Sequence, residues 1–320
     1  MCLTSLEICA GAGGQALGLE QAGFEHVCLV EIEKPACETL QLNRPHWQVL
    51  QQDVREFSAI GMDGLDLLAG GVPCPPFSKA GKQLGHTDER DLFPEAIRLV
   101  SECHPRAVML ENVRGLLDAC FDDYRAKIIR SLGKLGYHAE WRLLNASDYG
   151  VPQLRPRVVF VALRKDLACH FEWPRPTCPQ PPTVGEALYD LMAAQGWVGA
   201  EQWRTVACDI APTLVGGSKK HGGPDLGPTR AKRAWASLSV DGHGLVDAPP
   251  TPDFVGMPRL TVRMAARIQG FPDSWAFSGR KTSAYRQVGN AFPPPVACAI
   301  GRQIAAALYM ADNKSIRKAG

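Results

Sequence analysis

Several features are missing from this sequence of 320 residues. No apolar run approaches the roughly 18 residues of a membrane span, and no basic stretch typical of a signal peptide opens the chain. The eleven cysteines show no paired short spacings, which argues against a disulfide framework and for a reducing, cytosolic compartment. Charge of one sign is not in excess, because 35 basic side chains stand against 33 acidic ones. Any nucleic-acid-binding surface must therefore be local.

Strand-like and helix-like segments alternate along the chain. Apolar runs predict strands at residues 3–9, 26–30, 48–51, 65–69, 107–110, 138–144 and 158–163. Helices are predicted at residues 15–21, 92–103, 124–135, 262–268 and from 289 to 310, followed by a polar tail that we expect to fray. This alternation is typical of an α/β fold with a doubly wound, mostly parallel sheet. The length permits one large domain, or a large and a small one.

One cysteine stands where an apolar run ends abruptly. The strand at 65–69 runs into Gly70 and Gly71, and Cys74 follows between prolines. Ligands of open α/β sheets gather at the carboxyl ends of strands, so this thiol is a candidate nucleophile. The alternative is a small buried hydrophobic residue, the commoner use of cysteine. The polar segment 79–90 that follows is long enough to be a lid.

Glycines and acids mark a candidate ligand site at the same sheet edge. The loop 10–14, Ala-Gly-Ala-Gly-Gly, lies between the first strand and first helix, where a ligand can approach the backbone. Glu31 ends the second strand and Asp53 follows the third, as expected of an acid that binds ribose hydroxyls. A plain turn and helix-capping acids are the alternatives. The fifth strand delivers residues 111–113, Glu-Asn-Val, to this edge.

Two proline-rich stretches bracket a segment of different composition. Residues 173–182 contain five prolines and residues 248–258 contain four, which predicts a separate small domain between stiff linkers. Within it, residues 216–235 carry a net charge of +4 among many glycines. This stretch is either a solvated face or a surface that follows a phosphate backbone and reaches base edges.

In order along the chain, these motifs resemble those of the DNA (cytosine-5) methyltransferase family, in its bacterial restriction-modification form. The resemblance covers nearly the whole chain, with the variable target-recognition region falling on the proline-bracketed segment. The matching pieces are residues 10–14, 70–78, 111–113, the Gln-x-Arg-x-Arg run 153–157, the stretch 259–272 and Gly289-Asn290.

The resemblance implies transfer of a methyl group from S-adenosylmethionine to C5 of a cytosine flipped out of a short duplex DNA site. Cys74 matches the family's nucleophile, which adds to C6 of the base. Glu111 matches the residue that stabilises N3, and Arg155 and Arg157 match the pair that contacts the base oxygen and phosphates and keeps the thiol ionised. A pocket closed to water would raise the pKa of Glu111.

The resemblance also implies two sets of binding residues. Those expected to contact the cofactor are Gly11, Gly13, Glu31, Ile32, Asp53, Val54, Pro73, Leu92 and Asn290. Those expected to contact DNA are Ser78, Asn112, Val113, Gln153, Thr213, Leu214, Lys219, Lys220, Arg230, Lys232 and Arg233. The chain departs from the family pattern at Pro75, where glutamine is usual, at Cys9, where an aromatic is common, and at Met264, where glutamate is common.

We therefore expect three parts: a catalytic and cofactor-binding domain at 1–172, a target-recognition domain at 173–258, and a returning segment at 259–320. The expected protein is a monomer of the bacterial cytoplasm, associated with the nucleoid, that acts on double-stranded DNA, with or without a separate cognate endonuclease, and holds no metal. A transfer-RNA cytosine-5 methyltransferase and a catalytically silent DNA-binding homologue are the alternatives. The transfer-RNA enzymes usually carry a smaller recognition segment, which argues against the first alternative. A silent homologue has no need of Cys74, Glu111 and Arg157 together, which argues against the second.

Overall fold

The computed structural model describes residues 2–73, 91–216 and 225–319, with side chains as far as residue 313. Cys74, Ser78, Lys219, Lys220 and the predicted lid 79–90 lie outside the described residues. What was predicted of them stays a prediction.

Among the described residues, seven strands form one sheet in the order β3-β2-β1-β4-β5-β7-β6. The strands are β1 Leu3–Ile8, β2 Phe24–Glu31, β3 Val49–Gln51, β4 Leu67–Gly70, β5 Ala107–Val113, β6 Tyr137–Asn145 and β7 Pro156–Arg164. The first five are parallel, whereas β7 is antiparallel to both β5 and β6. The predicted doubly wound, mostly parallel sheet is confirmed. Strand order reverses between β1 and β4, which is where such sheets bind ligands.

Helices cover both faces of the sheet and build the remainder of the molecule. They are α1 Gly14–Gln21, α2 Lys34–Asn43, α3 Phe93–Cys103, α4 Asp122–Lys134, α5 Val184–Met192, α6 Ala200–Val206, α7 Thr229–Ala236, α8 Val262–Ile268, α9 Lys281–Asn290 and α10 Pro294–Ala319. Helices α2, α5, α6, α7 and α9 were not predicted. The prediction of a frayed tail is wrong, because α10 continues to Ala319. The polar stretch at its end contains no glycine or proline before Gly320 that would end the helix.

Three apolar clusters hold these layers together. The first packs α3 and α4 on one sheet face, through residues such as Leu6, Val108 and Leu99. The second packs α10 on the opposite face, where Met109 and Ile300 are fully buried. Burial of this kind stabilises the fold by about 25 cal/mol per Å² of apolar surface.

The third cluster joins the proline-bracketed segment to the sheet. Val184 and Trp235 of the segment belong to the same buried cluster as Leu29 and Leu40 near the sheet and Met264 of α8. In the described residues the segment therefore shares its core with the larger unit. The three-part division of the chain stays a prediction about function.

Candidate active site

A cleft of about 800 Å³ opens at the carboxyl edge of the sheet, beside the strand reversal. Its wall contains most of the residues that the sequence singled out: Gly11, Glu31, Ile32, Asp53, Val54, Pro73, Leu92, Glu111, Asn112, Val113, Arg157, Thr213, Leu214 and Asn290. These come from the carboxyl ends of β1 to β5, the residue before α3, the start of β7, the stretch after α6 and the end of α9. Parallel strands bring distant sequence positions together at one edge.

Glu31, at the end of β2, organises the glycine loop. One carboxylate oxygen accepts a 2.7 Å hydrogen bond from the Gly11 amide, and the other accepts one from the Glu33 amide. Burial raises the pKa of Glu31, and these amide donors partly offset that effect. Each oxygen keeps a further lone pair for a ligand hydroxyl.

Asp53 and two aliphatic residues line the same part of the cleft. The Asp53 carboxylate lies 2.7 Å from the Arg55 guanidinium, which lowers its pKa. Val54 is buried, while Ile32 is half exposed. A carboxylate flanked by aliphatic side chains provides hydrogen-bond acceptors beside an apolar surface, which suits an adenosine group.

The Cβ side of Gly13 faces the protein interior, and the expectation that its backbone contacts the cofactor stays a prediction. A Cβ at this residue would lie 2.6 Å from the Leu40 side chain and 2.9 Å from Trp275, and its φ of +84° also favours glycine. Trp275 donates from its indole to the Ala12 carbonyl, 3.1 Å away. Gly13 is therefore required by packing beneath the loop, whereas a Cβ at Gly11 would meet no atom within 4 Å.

Glu111 and Arg157 form a buried ion pair in the cleft wall. Arg157 Nε lies 2.8 Å from Glu111 Oε1, and both side chains are nearly inaccessible to solvent. Sheet register explains the contact: Arg157 is opposite Val113, so Glu111 is its diagonal neighbour on the same face. Burial raises the pKa of Glu111, with the two arginines acting in the opposite direction.

Arg155 lies away from the cleft, contrary to the expectation that it contacts a base. Its side chain is fully buried, and its guanidinium donates to the carbonyls of Leu214, Gly289 and Ala291 at 2.7–2.9 Å. The strand β7 begins only at Pro156, so strand alternation does not force Arg155 onto the face of Arg157. Three backbone acceptors make it a cross-link between the recognition segment and the end of α9.

Gln153 and Leu214 are also buried rather than exposed to DNA. The Gln153 amide nitrogen donates to the Ile268 carbonyl and to Gln269, while its oxygen accepts from the Leu214 amide at 2.8 Å. Leu214 is 1% exposed. Thr213 is partly buried, and its hydroxyl donates to the Leu154 carbonyl. Of these three residues, Thr213 alone is not fully buried.

The segment preceding Cys74 is anchored on both sides. Asn112 donates from its amide to the Val72 carbonyl at 2.8 Å, and the Leu92 amide donates to the Pro73 carbonyl at 3.2 Å. Pro73 lies in the cleft wall with Glu111, and Cys74 is the next residue in the sequence. Asn112 therefore holds the backbone that leads to Cys74.

The described cations of the basic stretch 216–235 lie on α7. Arg230 and Arg233 are exposed and three residues apart, so they share a face of the helix. Lys232 is partly buried and pairs with Asp225 at 2.7 Å. Among the described residues, the predicted basic surface therefore consists of the two exposed arginines of α7.

Sequence reasoning missed other residues in the cleft wall, including Glu7, Gln15, Ser283 and Arg286. Glu7 had a usable signal, because a carboxylate inside an otherwise apolar strand is unusual. In residues 2–73, 91–216 and 225–319, no cluster of acids, histidines and cysteines is arranged to hold a metal ion. Within those same ranges, no helix is long and apolar enough to cross a membrane.

Comparison with known proteins gives a consistent result. A family model described as "C-5 cytosine-specific DNA methylase" matches residues 3–219 and 232–306. The chain is 62% identical to the type II methyltransferase M.NgoMIV of Neisseria gonorrhoeae over 311 residues, 96% of this chain and 99% of that protein. It is 61% identical to M.NaeI of Lentzea aerocolonigenes over 314 residues, 96% of this chain and 76% of that protein.

Solved structures also resemble this fold. A putative DNA modification methyltransferase encoded within an Escherichia coli prophage has a TM-score of 0.68 at 27% identity, covering 97% of this chain and 99% of that one. A Dnmt2 mutant from Spodoptera frugiperda has a TM-score of 0.66 at 18% identity, covering 95% and 99%. The second likeness concerns the fold alone.

Proposed function

Because this chain belongs to the C-5 cytosine-specific DNA methylase family and is a DNA (cytosine-5-)-methyltransferase of the restriction-modification type, we propose how it carries out the reaction. It transfers a methyl group from S-adenosylmethionine to C5 of a cytosine flipped out of a short duplex site, through a covalent bond between Cys74 and C6. The observation that carries this proposal is the buried Glu111–Arg157 pair, which shares the cleft with Pro73, the residue before Cys74.

The cleft fits the cofactor in its donors and acceptors. Glu31 offers free lone pairs for ribose hydroxyls, and Asp53 offers acceptors for an adenine amine, between Ile32 and Val54. Pro73, Leu92 and Asn290 line the remaining wall. When bound, S-adenosylmethionine supplies an electrophilic methyl group on a sulfonium.

Glu111 is suited to hold a proton at N3 of the base. Its raised pKa, caused by burial, favours the protonated carboxyl that can donate there. We assign the contact with the base oxygen to Arg157, which lies 2.8 Å from Glu111. We assign Arg155 a positioning role through its carbonyl contacts. It takes no part in base contact in this proposal.

The covalent sequence needs only the thiolate, the two substrates and water. The thiolate of Cys74 would bond to C6 as Glu111 protonates N3, and C5 of the resulting enamine would bond to the methyl carbon as the methyl–sulfur bond breaks and S-adenosylhomocysteine leaves. Water would then take the C5 proton, the electrons of the C5–H bond would restore the C5–C6 double bond, the thiolate would leave C6, and the N3 proton would return to Glu111. A stacked cytosine cannot reach a cleft at the sheet edge, so the base must leave the helix, at a cost of a few kcal/mol.

The test uses duplexes in which every cytosine carries fluorine at C5. Fluorine cannot leave as a proton, so the Cys74–C6 adduct should persist and give a denaturation-resistant protein–DNA band that requires the cofactor. Cys74→Ser should give no band while still binding DNA. A band of undiminished intensity from Cys74→Ser would contradict the covalent route.

A further inference from the structure

Three arginines line the described wall of the cleft, and one of them has no acidic partner there. Arg157 lies 2.8 Å from Glu111, and Arg55 lies 2.7 Å from Asp53. Arg286, in α9, is partly exposed and lines the same cleft. Within the part of the chain that the structure describes, its side chain has no ion pair or hydrogen bond. This guanidinium is therefore available for an anionic ligand.

The other charges of the described cleft wall are mostly acidic. Five acidic residues line it: Glu7, Glu31, Glu33, Asp53 and Glu111. Two of these belong to the arginine pairs described above. A phosphate brought to such a wall is repelled by the carboxylates unless a cation lies beside it. Arg286 is the described cation of the wall that remains available for this purpose.

The recognition segment crosses α9 beside Arg286. A Cβ at Gly216 would lie 2.7 Å from the Arg286 carbonyl, and a Cβ at Gly289 would lie 2.4 Å from the Gly216 backbone. Residues 213–216 line the cleft as well, and Gly216 is the first residue of the basic stretch 216–235. Arg286 therefore lies where the cleft and the recognition segment meet.

The direction of α9 separates Arg286 from the end of the helix that is expected to contact the cofactor. Ser283, Arg286 and Asn290 all line the cleft, and they follow one another along one face of the helix. Helical side chains lean toward the N-terminus of their helix. We therefore expect the Arg286 guanidinium to lean toward Ser283 and away from Asn290.

A cytosine that leaves the duplex takes its own phosphates with it to the mouth of the cleft. We propose that Arg286 binds a phosphate of the strand that contains the target cytosine, and thereby holds the flipped nucleotide in place for Cys74. A contact of this kind positions the DNA and carries no sequence information. This inference rests on the proposed flipping of a cytosine out of duplex DNA.

The carboxylate of the cofactor and the edge of a guanine are the competing ligands for this guanidinium. A carboxylate contact affects the binding of S-adenosylhomocysteine in the absence of DNA. A guanine contact is bidentate and sets the preference between DNA sequences, and lysine does not reproduce its geometry. A phosphate contact depends on charge, acts on every sequence alike and weakens as salt is added.

The test measures DNA binding by fluorescence anisotropy over a series of salt concentrations, with S-adenosylhomocysteine present. The probes are a duplex that contains the methylated motif and a scrambled duplex of equal length. Arg286→Gln should weaken both by roughly tenfold, the loss expected for a hydrogen bond to a charged group. It should also reduce the slope of log affinity against log salt by about 0.9, the value for one phosphate. Arg286→Lys should retain the wild-type slope, because it keeps the charge.

Arg302→Gln is the matched control, because Arg302 is also an exposed arginine but lies on α10 and does not line the described cleft. This variant should keep the wild-type affinity and slope. An unchanged slope with Arg286→Gln, weaker binding of S-adenosylhomocysteine without DNA, or a changed ratio between the two duplexes would overturn the phosphate contact. If the wild-type protein binds neither duplex, the proposed function fails and the contact fails with it.

Discussion

Glu111 and Arg157 hold opposite charges in a place where water is nearly excluded. Burial raises the pKa of Glu111 and lowers that of Arg157, while the contact between them opposes both shifts. Burial favours the protonated carboxyl, which can give a proton to a base, and the arginine favours the carboxylate, which can take the proton back. The pair therefore suits the proton transfer proposed above.

Replacing Glu111 tests this role directly. Glu111→Gln should lower the rate of methyl transfer by about 10²–10⁴-fold, the usual contribution of a general acid, with little change in S-adenosylhomocysteine binding. Because the pKa is raised, the protonated form is lost as pH rises through it, so the wild-type rate should fall on the alkaline side. The variant should lack that limb. A variant that retained wild-type turnover would contradict the assignment.

Arg155 and Arg157 show what sequence can and cannot predict at this scale. The motif located both residues, and register assigns Arg157 to the face of Glu111. The environment of Arg155 depends on carbonyls 59 to 136 residues away in sequence. No local pattern contains those contacts, so the two roles could not be separated from the sequence.

The two arginines should respond differently to substitution. Arg155→Met leaves the Leu214 and Gly289 carbonyls without this donor, while the Ala291 carbonyl keeps the Gln269 amide, and should lower the free energy of unfolding by about 3 kcal/mol. Arg157→Met should cost less stability, since Glu111 can take up a proton, but should abolish methyl transfer. Urea unfolding followed by tryptophan fluorescence, together with a methylation assay, separates the two. Equal stability losses would contradict the division of roles.

At the scale of elements, α1 and α10 cross closely where each helix has a glycine, Gly18 in α1 and Gly301 in α10. A Cβ at Gly18 would lie 2.4 Å from the Pro294 carbonyl and 2.5 Å from Ala297. Helices approach this closely only where a side chain is missing. The crossing fixes α1, and with it the glycine loop, against the sheet.

A matched pair of alanine substitutions tests this packing. Gly18→Ala should destabilise the protein by about 1–3 kcal/mol through overpacking. Gly133→Ala, in α4 where a Cβ would meet nothing within 4 Å, should instead stabilise it by roughly 0.5 kcal/mol through helix propensity. Thermal unfolding measures both. Destabilisation by both variants would show that the α1–α10 contact is not the cause.

Helices and strands with a clear local pattern of apolar residues were predicted from the sequence. Bounds that depend on pairing with a distant strand were not. Helix α8 matches its predicted bounds, whereas β5 extends beyond Leu110 to Val113 because β7 pairs with its full length. Gly289 and Asn290 end α9 rather than beginning α10. Glycine marks either end of a helix, so the sequence alone favoured the wrong one.

At the scale of the whole molecule, the recognition segment shares a core with the sheet. Val184, Leu188 and Trp235 are buried in the cluster that includes Leu29. Exchanging residues 183–247, with core-facing residues retained, for the segment of a family member that modifies a different DNA site should change the site. Sequencing of the modified cytosines measures the site. An unchanged site would contradict the assignment of recognition to this segment.

The most direct measurement is bisulfite sequencing of plasmid DNA from cells that express this chain, with Cys74→Ser and Glu111→Gln as controls. The account predicts conversion-resistant cytosines confined to one short motif with the wild-type protein, and uniform conversion with both variants. Uniform conversion with the wild-type protein, or undiminished resistance with Cys74→Ser, would contradict it.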